Sequence, residues 1–107
     1  MGRKSNVEII NSFKNKLTED IPVAKIILFG SRAWGKPKRW SDFDLIIVSK
    51  YFEGINFFER ASKMYDFWDV DYPVDFICLT PEEFNKLKKG ITIVSEALKK
   101  GIVLNWG

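Results

Sequence analysis

Asp42 and Asp44 are two residues apart where an apolar run begins, Asp42-Phe43-Asp44-Leu45-Ile46-Ile47-Val48. On a strand that spacing puts both carboxylates on one side, with Ile46 and Val48, and puts Phe43, Leu45 and Ile47 on the other. Two carboxylates so close ionise together only with a cation between them. Their hard oxygen ligands suit Mg²⁺. A third acid would complete a two-metal site, and Asp75 is the best candidate. It interrupts another apolar run, Val74–Leu79, where a charge needs a partner or a chemical task. Asp69 and Asp71 are nearby rivals, but they adjoin the turn-forming Tyr72-Pro73 and read as loop residues.

Upstream of the aspartates, an apolar run ends in Gly30-Ser31. A glycine there lets the backbone approach a ligand closely. The amides at the start of a helical turn, with the Ser31 hydroxyl, would make an anion site. Arg32, Lys36, Lys38 and Arg39 follow within a few residues, and one or two of them could neutralise phosphate charge. Each part alone has an ordinary reading. An Asp-x-Asp pair is common at strand ends, Gly-Ser is a common turn, and a basic loop is usually a solvated one. Asp75 alone could be a surface residue of a half-exposed strand. Together and in this order they are the parts of nucleotidyl transfer, in which two metals clamp an α-phosphate and stabilise the attacking and leaving oxygens.

The elements that must position these groups follow from apolar periodicity. Residues 3–19 read as an amphipathic helix with Val7, Ile10, Phe13 and Leu17 on its stripe, ended by Pro22. Residues 24–29 and 42–48 read as strands, with a short helical turn at 31–34 and a loop at 35–39 between them. Residues 50–54 read as a connection, and 55–68 as a helix in which Phe57, Ala61, Met64, Tyr65 and Trp68 recur. A third strand covers 74–79. Thr80-Pro81-Glu82-Glu83 is a strong helix start, with a capping box and proline at the first helical position. That helix runs to about residue 89. Another spans 91–99 and stops at Gly101, and 102–106 adds a short strand. Strands alternating with helices predict an α/β fold, a small mixed sheet of about three to four strands covered by helices.

At 107 residues the chain reads as a single domain, 1–107. A net charge of +3 argues against a dedicated nucleic-acid binder but allows a basic patch beside a polyanion. The absence of histidine excludes His-based triads and His-ligated zinc. The one cysteine, Cys78, cannot form an internal disulfide and reads as a small buried hydrophobe, which fits a reducing compartment and a cytoplasmic location. No apolar run is long enough for a signal peptide or a membrane span.

With these residues in place, the chain resembles the DNA polymerase β-like nucleotidyltransferase superfamily. In particular it resembles the minimal nucleotidyltransferases (MNT) that are antitoxins in HEPN/MNT toxin–antitoxin pairs. Their signature is Gly-Ser, ten residues, then Asp-x-Asp. Here Gly30-Ser31 is followed by the ten residues 32–41 and then by Asp42-Phe43-Asp44. The segments Phe29-Gly30-Ser31-Arg32-Ala33, Val74-Asp75-Phe76-Ile77 and Thr80-Pro81-Glu82-Glu83-Phe84 also resemble the family, and the likeness spans most of 24–104.

The resemblance implies a nucleotide site made by Gly30, Ser31, Arg32, Asp42 and Asp44. It implies metal ligands and catalytic acids at Asp42, Asp44 and Asp75, with Asp75 serving the second of two Mg²⁺ ions and activating the attacking hydroxyl. It implies ATP as substrate and a HEPN-domain RNase toxin as the partner whose tyrosine receives AMP, in an oligomeric assembly with that partner. Larger relatives bind their acceptors with an extra helical domain, which this sequence lacks, so a protein acceptor is expected. The alternatives are a non-catalytic antitoxin that neutralises by binding, and a small-molecule nucleotidyltransferase. The intact set of three acids favours the enzyme. Phe57, Phe58, Tyr65, Phe67 and Trp68 exceed what one helical stripe can bury, so part of that helix, with Trp106, is expected to face another chain. Trp34 and Trp40 flank the basic loop and either stack on a base or partner or pack on the sheet.

Overall fold

A computed structural model of the chain describes residues 5–35 and 41–105. The expectations for residues 3 and 4, Lys36, Lys38, Arg39, Trp40 and Trp106 lie outside the described residues. The elements run α1 (Asn6–Leu17), β1 (Lys25–Phe29), α2 (Ser31–Trp34), β2 (Phe43–Val48), a 3₁₀ turn (Lys50–Phe52), α3 (Phe57–Tyr65), β3 (Val74–Leu79), α4 (Pro81–Leu87), α5 (Ile93–Lys100) and β4 (Ile102–Asn105). Among the described residues there is one four-stranded sheet, ordered β3-β2-β1-β4. β1 runs antiparallel to β2 and β4, whereas β2 and β3 are parallel, so the sheet is mixed.

Both faces of the sheet are covered, which is why the strands read as nearly continuous apolar runs. On one face Ile26, Leu28, Phe43, Leu45, Ile47 and Phe76 pack with Ile10, Phe13 and Leu17 of α1 and Met64 of α3. On the other, Ile27, Phe29, Ile46, Val48 and Leu79 pack with Phe84 of α4 and Val94 and Ala97 of α5. Truncating a fully buried member such as Leu45 to alanine would cost roughly 2–5 kcal/mol. This second apolar cluster stops short along the strands. The next residue of β2 on that face is Asp44, half-exposed, and its counterpart on β3 is Asp75, exposed.

The helix starts are fixed by side chains. Ser5 with Glu8, Thr80 with Glu83 and Thr92 with Ser95 form capping boxes on α1, α4 and α5, each satisfying amides that a helix leaves unpaired. Gly101 ends α5 where β4 begins. A β-carbon there would press on the carbonyl oxygens of Ala97 and Leu28, so only glycine permits so tight a helix-to-strand passage.

α3 differs from its expected form. It begins after Asn56, which caps it by accepting from the Glu59 amide, and it ends at Tyr65. Trp68 therefore lies beyond the helix, where its indole N–H donates to the Tyr72 carbonyl at 2.8 Å. The buried positions of α3 are Met64 and Arg60, and Phe57 faces outward. Of the expected stripe, Met64 is buried and Ala61 and Trp68 pack against the core, whereas Phe57 and Tyr65 are exposed. The buried face also carries the guanidinium of Arg60, whose partners are described below. The 50–54 connection holds the 3₁₀ turn, capped by the Ser49 hydroxyl accepting from the Tyr51 amide. No helix among the described residues is long and apolar enough to cross a membrane.

Candidate active site

Gly30 takes φ 75° and ψ −159°, a conformation that side-chain-bearing L residues rarely adopt. The torsion turns the chain sharply out of β1 and into α2, and the Gly30 carbonyl accepts the amides of Ala33 at 3.0 Å and Trp34 at 3.1 Å. Ser31 is the first residue of α2 and is exposed. The antiparallel register of β1 and β2 sets Phe29 opposite Asp44, which brings Gly30 against the Asp44 carboxylate. A β-carbon on Gly30 would overlap Asp44 Oδ2 and lie 3.2 Å from Cγ.

The parallel register of β2 and β3 sets Asp44 opposite Asp75. Registered neighbours of a sheet present their side chains on the same face. Asp42, exposed, stands just before β2. The carboxyl of Asp44 is accordingly held above its ordinary titration range, first by burial, then by the negative charges of Asp75 and Asp42. The sheet thus concentrates three like charges beside a close-approach turn, an arrangement that costs stability until a cation shares it.

Among the described residues, no three acid, cysteine or histidine side chains are gathered closely enough to hold a metal ion between them. The carboxylates form an open, all-oxygen set. That donor chemistry fits Mg²⁺, which typically takes one or two carboxylates and completes its shell with water and substrate phosphates.

Asp69 is ion-paired with Lys16 of α1, and Asp71 is exposed in the loop before β3. Cys78 is buried and its thiol is pushed up to about 12, chiefly by burial, so it remains a neutral core group. Tyr65 donates its hydroxyl to the Val74 carbonyl at 2.8 Å, next to Asp75. Burial first, and then the negative charges of Asp75 and Asp42, raise its titration, which keeps that donor in place.

The sequence model of the nucleotidyltransferase domain matches residues 10–104. The chain belongs to that family. The probable protein adenylyltransferase MntA of Haemophilus influenzae is 31% identical over 93 residues, covering 83% of this chain and 80% of that protein. A chain from the crystal structure of a toxin–antitoxin with AMP-PNP superposes with a TM-score of 0.57 at 27% identity, over 91% of this chain and 72% of that one. A Sulfolobus solfataricus structure assigned to the nucleotidyltransferases superposes with a TM-score of 0.58 at 24% identity, over 95% of this chain and 87% of that one, and shows the shared fold. The resemblance to the MNT group therefore stands.

Within this nucleotidyltransferase, the Gly30–Ser31 turn, Asp42, Asp44 and Asp75 come together at one end of the sheet. Arg32 is placed differently. Its Nε donates to the Ser41 carbonyl at 2.8 Å and its Nη1 to Asn6 Oδ1 at 3.2 Å. Its guanidinium stacks 4.2 Å from the Phe43 ring centre and 4.9 Å from that of Tyr72. Phe43 and Tyr72 belong to the core on the α1 side of the sheet, the face opposite Asp44.

Sequence reasoning missed Arg60. It is 8% exposed, and its guanidinium donates to the carbonyls of Ile55 and Cys78 and, bidentately, to Glu83. The pair joins α3 to the start of α4 just beyond β3. The available signal was its spacing: Arg60 lies four residues before Met64, so the two fall on one helical face.

Proposed function

We propose that this nucleotidyltransferase moves AMP from ATP to a tyrosine hydroxyl of a partner HEPN-domain RNase toxin, with Mg²⁺, and so acts as the antitoxin. The observation that carries the proposal is the registration of Asp44 with Asp75 across β2 and β3, beside the Gly30 turn. The adenylyl group and the protein acceptor are suggested by MntA, a probable protein adenylyltransferase, and by the toxin–antitoxin chain crystallised with AMP-PNP.

In this reading the Gly30–Ser31 turn seats the triphosphate, with backbone amides and the Ser31 hydroxyl as donors. Asp42, Asp44 and Asp75 would hold Mg²⁺. Such ions, when bound, neutralise the triphosphate and stabilise the leaving pyrophosphate. Asp75, exposed beside the more buried Asp44, takes the phenolic proton of the arriving acceptor. The phenolic oxygen bonds the α-phosphorus as the bond from that phosphorus to the bridging oxygen breaks, and pyrophosphate departs.

The test is intact-mass spectrometry of the neighbouring HEPN protein co-expressed with this chain. One or more added AMP units, absent when Asp42→Asn/Asp44→Asn replaces the wild type, support transfer. A neutralised but unmodified partner would establish the non-catalytic antitoxin instead.

A further inference from the structure

The bracket around Arg32 links parts of the chain that are remote in sequence. Its Nη1 and backbone carbonyl both engage Asn6 of α1, the carbonyl accepting from Asn6 Nδ2 at 3.2 Å. Its Nε donates to the Ser41 carbonyl, the residue immediately before Asp42. Its guanidinium plane covers Phe43, the residue between the two aspartates, and Tyr72 in the approach to β3. Phe43 is fully buried, and its amide donates to the Pro73 carbonyl at 2.8 Å. One side chain thus fixes both the residue before and the residue after Asp42, while its own backbone lies two residues from Gly30.

The Arg32 guanidinium donates to a carbonyl and to an amide oxygen and lies against two rings of the core on the sheet face opposite Asp44. We propose that Arg32 is a positioning residue: acting from behind the sheet, it locks the Ser41–Phe43 entry of β2 to α1 and so sets Asp42 and Asp44 against the Gly30–Ser31 turn, without itself binding the triphosphate. This rests on the reading of Asp42 and Asp44 as the metal-holding pair.

Arginine is suited to the place and lysine is not. A planar guanidinium donates in its own plane while lying against the neighbouring Phe43 and Tyr72 rings, which the rounder ammonium of lysine does not reproduce. The charge alone therefore should not rescue function. A phosphate ligand behaves oppositely, since lysine keeps the point charge.

The experiment compares wild type, Arg32→Lys, Arg32→Ala, Asn6→Ala and Asn6→Ala/Arg32→Ala. Three quantities are read: AMP transfer to the partner, affinity for ATP with Mg²⁺, and amide hydrogen exchange. Arg32→Lys and Arg32→Ala should lose kcat alike, by about 100-fold, because displacement of a reacting group by about 1 Å has that effect. KM for ATP should change far less. Exchange should quicken at residues 41–45 while α5 stays protected. Asn6→Ala should shift the same amides, and the double variant should be no worse than Arg32→Ala alone.

The proposal is overturned if Arg32→Lys keeps wild-type turnover and ATP affinity while Arg32→Ala loses affinity, or if Asn6→Ala leaves exchange at 41–45 unchanged. It is also overturned if exchange rises across the whole sheet, since that marks general destabilisation. Asn6→Ala leaves the guanidinium stacked, so it keeps the test decisive if the Arg32 variants fail to fold. If the wild type transfers no AMP, the functional reading fails. ATP affinity and exchange still decide the role of Arg32.

Discussion

The α-carbon of Gly30 lies directly against the carboxylate of Asp44, so that a β-carbon on Gly30 would overlap Asp44 Oδ2. A tight turn and an acidic strand thus share one contact, and the chemistry of the site depends on that contact staying small. Gly30→Ala must distort the positive-φ turn or displace Asp44. The expected cost is roughly 1–3 kcal/mol of stability, with AMP transfer falling much further than the melting temperature alone would explain. Denaturant unfolding alongside an activity assay separates the two.

Removing charge from the cluster should have the opposite effect on the free protein. The fold raises the titration of Asp44, so it disfavours the ionised form. Asp44→Asn relieves that penalty. In chelator its melting temperature should equal or exceed that of wild type, while the Mg²⁺-induced rise expected of wild type should vanish. A variant that is less stable in chelator would show that Asp44 is held by favourable contacts rather than like-charge crowding.

The Arg60–Glu83 pair sets a pH dependence. Hydrogen bonding from Arg60 first, and then bonds from Thr80 and the Arg60 charge, lower the Glu83 titration below 4.5 against the opposing effect of burial. A carboxylate with a depressed folded-state pKa contributes stability that is complete above its unfolded value and is lost as pH falls through the folded value. Wild type should therefore lose stability as pH falls below about 4.5, and Glu83→Gln should flatten that part of the profile. Equal acid sensitivity in both proteins would place the source of acid unfolding elsewhere.

The start of α3 presents apolar surface. Phe58 is 83% exposed and Phe57 50% exposed, and their ring centres lie 6.1 Å apart, edge to face. Phe58→Ser should change folding stability by no more than about 0.5 kcal/mol and yet weaken the proposed complex with a partner toxin. Calorimetric titration of the partner reads this directly. Unchanged affinity would remove this face from the interface.

What the sequence disclosed and what it concealed divide by distance along the chain. The Gly30-Ser31 turn, the Asp42/Asp44 pair and the Thr80–Glu83 cap are local patterns, and each lies where its spacing put it. Strand alternation likewise assigned Ile46 and Val48 to the face of the acids. The pairing of Asp44 with Asp75 depends on β2 meeting β3 in parallel register, which no local pattern specifies. Arg32 followed the motif so closely that a phosphate role was natural. Its actual surroundings come from Asn6, Ser41, Phe43 and Tyr72, assembled by tertiary packing. Arg60 was hidden because a charged residue in a helix is expected to face water, and only Glu83 and two carbonyls make its burial tolerable.

The central claim concerns which phosphorus is attacked, and isotope position answers it. The chain, the proposed HEPN partner and Mg²⁺ should be incubated with ATP labelled at the α-phosphate or, separately, at the γ-phosphate. The account predicts that only the α-label enters the partner protein, that pyrophosphate is released in step, and that Asp44→Asn abolishes both. Transfer of the γ-label, or α-labelling that persists in Asp44→Asn, would contradict it.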